Sequence, residues 1–294
     1  MRRWYKVQGS REKANGKDPA LSVAVLLLVP FTVLGGCALF PSRPAVPLKQ
    51  ATAAELTALL REREAAIQTM KGLFRVSIKG EGIPIAQRME GAVYYRRPDA
   101  MRLQGFTALG GELFEFVLSD DLYKLRLPTM SRVLTGRSSE IGKLGKLARP
   151  FQLSVWAMSG AVGIASVARH ERVALNEDGD RYRLDVFASG EDDSRSGTVV
   201  RRLWFERRSL QVVQEERLSP TGELEAVMYF DDFRPVGESE TGVQAQDAAN
   251  GFRTRLMRPF KITMEDGHGQ GSLQVTFHEI VPNAPLRPAD LGTV

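Results

Sequence analysis

The chain has 294 residues, of which 43% are hydrophobic and 26% charged, and its formal net charge is +5. Six basic and two acidic residues lie before Cys37, so the rest of the chain carries 34 basic and 33 acidic residues, a net of +1. This balance argues against a nucleic acid partner, which requires a strongly basic surface. Because Cys37 is the single cysteine, no disulfide can form within the chain and the fold must rely on its hydrophobic core.

Residues 1–36 have the pattern of a signal peptide that is removed from the mature protein. Basic residues are concentrated in the first 19 positions, and an uncharged stretch then extends from Ala20 to Leu34, interrupted by Pro30. A helix that spans a bilayer needs about 20 apolar residues, so this stretch is short for a span. An N-terminal anchor helix is the alternative interpretation.

The end of this stretch predicts the attachment of a lipid. Leu34-Gly35-Gly36-Cys37 resembles the lipobox of bacterial lipoproteins, in which an aliphatic and two small residues precede a cysteine whose thiol accepts a diacylglyceryl group. The resemblance implies cleavage between Gly36 and Cys37 and a covalent N-terminal lipid on Cys37, which would hold the mature chain on a membrane. We expect no other cofactor. Ala38 follows where an Asp would retain such proteins in the inner membrane, which implies the outer membrane, on its periplasmic face.

Residues 37–51 are predicted to form a tether, and residues 52–294 a folded domain. Pro41, Pro44 and Pro47 favour an extended polyproline-like conformation that would hold the domain away from the lipid surface. The sequence Thr52-Ala-Ala-Glu55 then matches a capping box. Apolar residues follow at helical spacing and Gly72 closes the segment, which predicts a helix of about 19 residues. The apolar positions are Leu56, Leu59, Leu60, Ile67 and Met70.

From Leu73 onward the apolar period changes to two, which is typical of strands with one buried face. Asp120-Asp121, Asp178-Gly179, Pro220-Thr-Gly222 and Asp266-Gly267 are turn signals between the runs. We therefore predict about ten or eleven consecutive antiparallel strands. The alternating runs are Phe74/Val76/Ile78, Phe114/Phe116/Leu118, Tyr123/Leu125/Leu127, Tyr182/Leu184/Val186, Leu224/Ala226/Met228/Phe230, Phe260/Ile262/Met264 and Leu273/Val275/Phe277.

Two segments break this rhythm. Residues 138–163 are predicted to be helical, with Leu153, Trp156 and Ala157 on one side, whereas residues 235–251 lack apolar periodicity and are predicted to form a loop. The domain should therefore be mainly β (α+β), with few helices.

The residues that commonly carry chemistry do not form a recognisable catalytic or metal site. Residues 136–144 have five residues between glycines where a phosphate-binding loop has four, and Leu144 replaces the required Ser or Thr. Asn176–Asp180 is acidic but lacks the ligand spacing of a calcium loop. The three histidines have no partners at metal-ligand spacing, and Asp231 and Asp232 fit a strand end as well as an acid/base pair. We predict no enzyme and no bound metal.

One longer pattern resembles the LolA/LolB superfamily of periplasmic carriers and acceptors of outer-membrane lipoproteins. Residues 89–103 read Met-Glu-Gly-Ala-Val-Tyr-Tyr-Arg-Arg-Pro-Asp-Ala-Met-Arg-Leu, similar to the second and third strands of that superfamily. The opening helix and the closing segment 280–290 fit as well. The resemblance implies a curved antiparallel half-barrel of about eleven strands, with helices covering a concave face that can bind acyl chains. The predicted lipid on Cys37 indicates the membrane-anchored, LolB-like branch.

The resemblance also implies a site. Seven residues on single strand faces would line the concave, hydrophobic groove: Phe114, Phe116, Leu118, Met228, Phe230, Phe260 and Ile262. The LolB-like proteins carry an exposed Leu on a loop between early strands, which makes Leu109 the candidate for membrane contact, or else an ordinary hairpin residue. The partners implied are the membrane and the acyl chains of a lipid or lipoprotein. On this view Phe116→Glu weakens acyl-chain binding and leaves the domain folded. The alternative function is an interaction module of an envelope complex, with a filled core, no ligand and an unknown protein partner.

Overall fold

Strands dominate the part of the chain that the computed structural model describes, which is residues 46–80, 83–138, 140, 156–158, 160, 167–168, 171–188, 197–237, 256–269 and 271–294. Within these ranges lie the α-helices α1 (Ala53–Ala65) and α2 (Pro288–Leu291), helical residues at 156–158 and 160, a short 3-10 helix at Pro128–Met130 and thirteen strands. The strands are β1 (Thr69–Gly80), β2 (Ile83–Arg96), β3 (Ala100–Phe106), β4 (Glu112–Ser119), β5 (Leu122–Leu127), β6 (Arg132–Arg137), β7 (Val173–Asp178), β8 (Arg181–Phe187), β9 (Val199–Glu206), β10 (Val212–Leu218), β11 (Leu224–Val236), β12 (Leu256–Asp266) and β13 (Gly271–Pro282).

All thirteen strands belong to one curved antiparallel sheet, as predicted for a half-barrel. Its order is β6-β5-β4-β3-β2-β1-β13-β12-β11-β10-β9-β8-β7, so every strand lies beside its neighbour in sequence except where β1 pairs with β13. The sheet remains open, with β6 and β7 at its two edges. The number of strands exceeds the predicted eleven because edge strands such as β6, whose residues are mostly exposed, carry little apolar alternation.

Helix α1 begins as predicted but ends early. The Thr52 side chain accepts a hydrogen bond from the Glu55 backbone N–H, and the Glu55 carboxylate accepts one from the Thr52 N–H at 2.7 Å, which completes the capping box. The helix stops after 13 residues, so the predicted length of 19 was wrong. Ile67 follows the helix, and Met70 lies in β1 with its side chain fully buried.

The early end of α1 is explained by tertiary hydrogen bonds. The Asn283 side-chain amide donates to the Ala66 carbonyl oxygen at 2.9 Å, and the same side chain accepts from the Gln68 N–H at 2.8 Å. From Thr69 the backbone pairs with β2 on one side and β13 on the other. A strand with hydrogen-bonded neighbours on both sides gives its backbone N–H and C=O groups as many hydrogen bonds as a helix would. Forming β1 also buries the Met70 side chain, so the strand is favoured over a longer α1.

The pattern that suggested the superfamily is a structural hairpin made by β2 and β3. A Cβ on Gly91 would lie 2.5 Å from Cε2 of Phe74, so only glycine leaves room for that buried ring. Tyr95 is buried, and its hydroxyl donates to the Pro98 carbonyl oxygen at the turn. Arg102 crosses to β4 and donates to Glu115 at 2.8 Å. The motif therefore specifies packing and pairing, which explains why it indicates a fold and not an activity.

The hydrophobic core divides into two clusters along the concave face. The first cluster joins β1–β5 to β11–β13 and includes Phe74, Tyr95, Met228 and Ile262. The second packs Leu56 and Leu60 of α1 against Tyr182, Leu203 and Phe205 of β8 and β9. Both clusters and all thirteen strands lie in the unit Leu48–Val294, which therefore contains everything its core needs to fold on its own.

Several predictions concern residues outside the described ranges. These are the signal peptide of residues 1–36, the lipidation and cleavage positions Gly36 and Cys37, and most of the tether. The loop predicted at residues 235–251 is described only as far as residue 237, and its first two residues belong to β11. At the tether's other end, the Lys49 N–H donates to the Arg207 carbonyl oxygen, so the chain already contacts the sheet there.

Candidate functional site

The sheet brings together the seven residues predicted to line a hydrophobic groove. They come from β4, β11 and β12: Phe114, Phe116, Leu118, Met228, Phe230, Phe260 and Ile262. Six of them belong to the first core cluster and are at most 8% exposed, and Leu118 is half-buried against that cluster. Strand alternation thus identified a common face correctly. In this conformation, however, the side chains form a packed core and not an open surface.

Helical residues from the segment between β6 and β7 lie over this core. Ala157 and Met158 are fully buried within the first cluster, and Trp156 packs against it. A Cβ added to Gly160 would lie 2.5 Å from Cε1 of Phe230, so the helical backbone touches the sheet directly at that ring. The prediction of helix over the concave face is confirmed for these residues, while Leu153 lies outside the described part.

A small cavity lies where the two core clusters meet, between α1 and strands β10, β11 and β12. Its volume is about 50 Å³. A water molecule occupies about 30 Å³ in the liquid, and ligand pockets usually measure about 300–1,000 Å³. The cavity therefore holds at most the end of a ligand unless α1 moves away from the sheet. Its lining is Leu60, Arg63, Gly160, Gln211, Val212, Phe230, Phe233, Met257, Arg258 and Pro259.

Two arginines at this cavity were missed by the sequence analysis. Arg258 is 4% exposed, and its Nη2 donates to the Arg63 carbonyl oxygen at 2.6 Å. Burial, together with the nearby positive charge of Arg63, lowers the pKa of Arg258 to about 10, so the guanidinium is still charged at neutral pH. Burial also lowers the pKa of Arg63, against the opposing effect of Glu62. The sequence did indicate where Arg258 lies. It is two and four positions from Phe260 and Ile262, and residues at such spacing in a strand point to the same face of the sheet.

A second charged group lies on the concave face farther along the sheet. Glu215 of β10 is fully buried, and its Oε1 lies 3.0 Å from Nη2 of Arg217 and 3.8 Å from Nε of Arg201. The Arg217 guanidinium also stacks 5.0 Å from the ring centroid of Trp156. Burial lowers the pKa of Arg217, and Glu215 partly offsets this. Glu215 pairs with both arginines, and Arg217 also contacts Trp156, so the group connects the sheet to the helical residues above it.

The remaining polar candidates lie at the surface and are engaged with one another. Asp232 forms an ion pair with Arg234 at 2.5 Å, and hydrogen bonds from that arginine lower the Asp232 pKa. Asp231 lies 3.3 Å from the Lys261 ammonium, and His278 is 3.3 Å from Glu90. Within the described ranges, no three His, Cys, Asp or Glu side chains gather at metal-binding distance. In those same ranges no helix has the length and apolar character to cross a bilayer.

Leu109 lies at the tip of the loop between β3 and β4, and its side chain is 98% exposed. The loop is well braced: the Thr107 N–H donates to the Gly111 carbonyl oxygen at 2.8 Å, and the Gly110 N–H donates to the Thr107 carbonyl oxygen at 2.9 Å. The Thr107 hydroxyl accepts from the Gly111 N–H at 3.0 Å. A large apolar side chain is thus held in solvent by a loop with three internal hydrogen bonds.

Known structures share this architecture, although no family model and no curated protein matches the chain. A domain from Vibrio parahaemolyticus described as an outer membrane lipoprotein-sorting protein matches with a TM-score of 0.51 at 15% identity, over 80% of this chain and 95% of that one. A LolA superfamily protein from Nitrosomonas europaea matches with a TM-score of 0.50 at 12% identity, over 83% of this chain and 99% of that one.

The fold is LolA/LolB-like. A DUF1329 family protein from Desulfovibrio piger has it too, with a TM-score of 0.52 at 10% identity, over 80% of this chain and 94% of that one. At such low identities the similarity concerns the LolA/LolB-like fold and not a shared ligand.

Proposed function

We propose that this protein is a lipid-anchored outer-membrane protein whose half-barrel faces the periplasm and reversibly binds acyl chains of a lipid or lipoprotein, without catalysing a reaction. The cavity between α1 and strands β10–β12 carries the proposal. Its lining is mainly apolar, through residues such as Leu60, Val212 and Phe233, and it adjoins Phe230 of the predicted groove. The Leu34–Cys37 lipobox supports the anchor, and the LolA/LolB-like fold supports placement in the envelope.

The expected free energy of acyl-chain binding is compatible with both binding and release. Each buried methylene contributes about 0.8 kcal/mol, so a chain with about six methylenes sheltered would gain about 5 kcal/mol. Such a gain allows binding and also transfer to a site of higher affinity. Binding of a whole chain requires the elements that line the cavity to move apart, because the present volume of about 50 Å³ is too small for it.

The test uses residues 48–294 and cis-parinaric acid, a fatty acid whose fluorescence rises when it is buried. We expect a saturable rise with the wild-type domain. Val212→Phe should weaken binding at least fivefold because the larger ring occupies the cavity. Val133→Phe is the matched control, since Val133 is 56% exposed on the edge strand β6 and should bind as wild type. Absence of any saturable signal with the folded wild-type domain would refute the proposal.

A second candidate function is an interaction module with no ligand. It is favoured by one observation: six of the seven predicted groove residues are at most 8% exposed. If the wild-type domain binds no acyl probe and its melting temperature does not respond to added fatty acid, the core is filled and this second function replaces the first.

Leu109 is proposed as the point of membrane contact. Inserting a leucine side chain into lipid contributes about 1.5–3 kcal/mol, so Leu109→Glu should lower the affinity of the unlipidated domain for vesicles at least tenfold. The measurement is flotation of residues 48–294 with phosphatidylethanolamine–phosphatidylglycerol vesicles. Leu122→Glu is the control. Leu122 is also an exposed leucine, at 47%, but it begins β5 and pairs with Ser119, at the end of β4 that is far from Leu109. Equal losses for both variants would exclude a specific role for Leu109.

A further inference from the structure

The two arginines at the cavity have no acidic partner among the residues that the structure describes. Within the described ranges, Arg258 donates hydrogen bonds to the backbone carbonyl oxygens of Arg63 and Met257, and its buried Nε has no hydrogen-bond partner there. Arg63 donates to the Leu210 carbonyl oxygen at 2.7 Å, and Glu62, the acidic residue next to it in sequence, is exposed to solvent. None of the described residues that line the cavity is acidic. One end of a mainly apolar cavity therefore carries two positive charges that no salt bridge within the described ranges neutralises.

A purely structural role for Arg258 would be to cap the end of α1. The Arg63 carbonyl belongs to the last turn of that helix, and a cation there is favourable. The carbonyl oxygens of Ala65 and Ala66, at the same helix end, accept from the neutral side-chain amides of Gln68 and Asn283, each at 2.9 Å. Capping thus needs no charge at this helix end. Burying a guanidinium beside a second one is unfavourable for the empty protein, because desolvation and repulsion act together.

We infer that the acyl ligand enters with an ionised carboxylate, which lies between the guanidinium groups of Arg63 and Arg258 while its chain follows the apolar lining toward Phe230. This inference rests on the proposed function. Arg presents a planar fork of donors that matches a carboxylate, and the free Nε of Arg258 supplies a donor without breaking its bond to the helix. The ligand class is then a fatty acid or another single-chain carboxylate. The ligand's negative charge offsets the repulsion between the two arginines.

The test compares cis-parinaric acid with its methyl ester at pH 8, using residues 48–294. The two probes share the chain and differ in charge. We expect the wild-type domain to bind the acid roughly tenfold more tightly, the ratio that corresponds to about 1.4 kcal/mol. Arg258→Met should remove this preference, Arg258→Lys should retain part of it, and Arg132→Met, at an exposed site on edge strand β6, should leave it unchanged.

The outcomes separate the two proposals. Equal affinity of the wild-type domain for acid and ester would overturn the carboxylate site and leave acyl-chain binding intact, whereas failure to bind either probe would overturn both. If Arg258 only caps α1, Arg258→Met lowers the melting temperature and weakens both probes alike, which also rejects the inference. Should Arg258→Met not fold, Arg63→Met provides the same comparison from a half-exposed position. Displacement of the acid by hexadecyl phosphate at lower concentrations than palmitate would reject a carboxylate in favour of a phosphate.

Discussion

Cys37→Ser should abolish lipid attachment completely and leave the precursor uncleaved in the inner membrane. The thiol is the nucleophile that takes the diacylglyceryl group, and a serine hydroxyl at its ordinary pKa is a far weaker nucleophile. Cys37 is the chain's single cysteine, so no second thiol can substitute. The measurement is incorporation of labelled palmitate by the full chain in cells, together with the change in mass after signal-peptide removal.

Two further variants of the full chain make this result interpretable. Ser42→Ala changes the tether but not the lipobox, and it should be acylated and cleaved as wild type. Ala38→Asp should also be acylated and cleaved, but it should remain in the inner membrane, since Asp at this position is the known retention signal. Normal processing and membrane fractionation of Cys37→Ser would show that the protein is not anchored by this lipid.

Phe116→Ala should lower the free energy of unfolding by about 3–5 kcal/mol, the usual cost of removing a buried aromatic side chain. Phe116 is 2% exposed, and its ring stacks on Tyr123 with centroids 6.1 Å apart. Phe116→Glu should prevent folding altogether, because an unpaired carboxylate would replace the ring inside the core. This differs from the sequence-based expectation that Phe116→Glu leaves the domain folded.

Urea denaturation of residues 48–294 measures the effect. Leu109→Ala is the control, since Leu109 is 98% exposed and its loss should change the free energy of unfolding by less than about 0.5 kcal/mol. If Phe116→Ala is as stable as Leu109→Ala, Phe116 lies in a groove that is open in solution and not in the core.

Much of the fold follows from short-range patterns in the sequence. Alternating apolar residues placed seven strands correctly, and the residues of these runs are buried or half-buried except for Leu224 at the start of β11. The turn at Asp120-Asp121 was readable because these residues tolerate a positive φ, and both adopt one, 50° and 66°. The capping box at Thr52 identified the first residue of α1. In each case the determining interactions join residues only a few positions apart, so a local pattern contains them.

The pairing of β1 with β13 shows what local patterns cannot contain. Met70 pairs with Pro282, and the pairing continues along both strands to Gly80 and Gly271. The paired residues are about 200 positions apart in the sequence. That pairing, with the Asn283 cap, ended α1 at Ala65 although Ile67 and Met70 continue its helical spacing. The apolar residues do recur at helical spacing as far as Met70, but backbone hydrogen bonds on both sides of β1 outweigh that local preference.

The candidate site also combines features that local sequence patterns determine with features that only the tertiary structure determines. The sequence by itself determined which side chains share a face of β4, β11 and β12, because successive residues of a strand point to opposite sides. Whether those side chains line an open groove was decided by the tertiary structure, in which Ala157 and Met158 pack into the same cluster, and the cavity beside Phe230 measures about 50 Å³. The meeting of Arg63 and Arg258 was also decided there, since a helix and a strand 195 positions apart place two like charges together only after the core has formed around them.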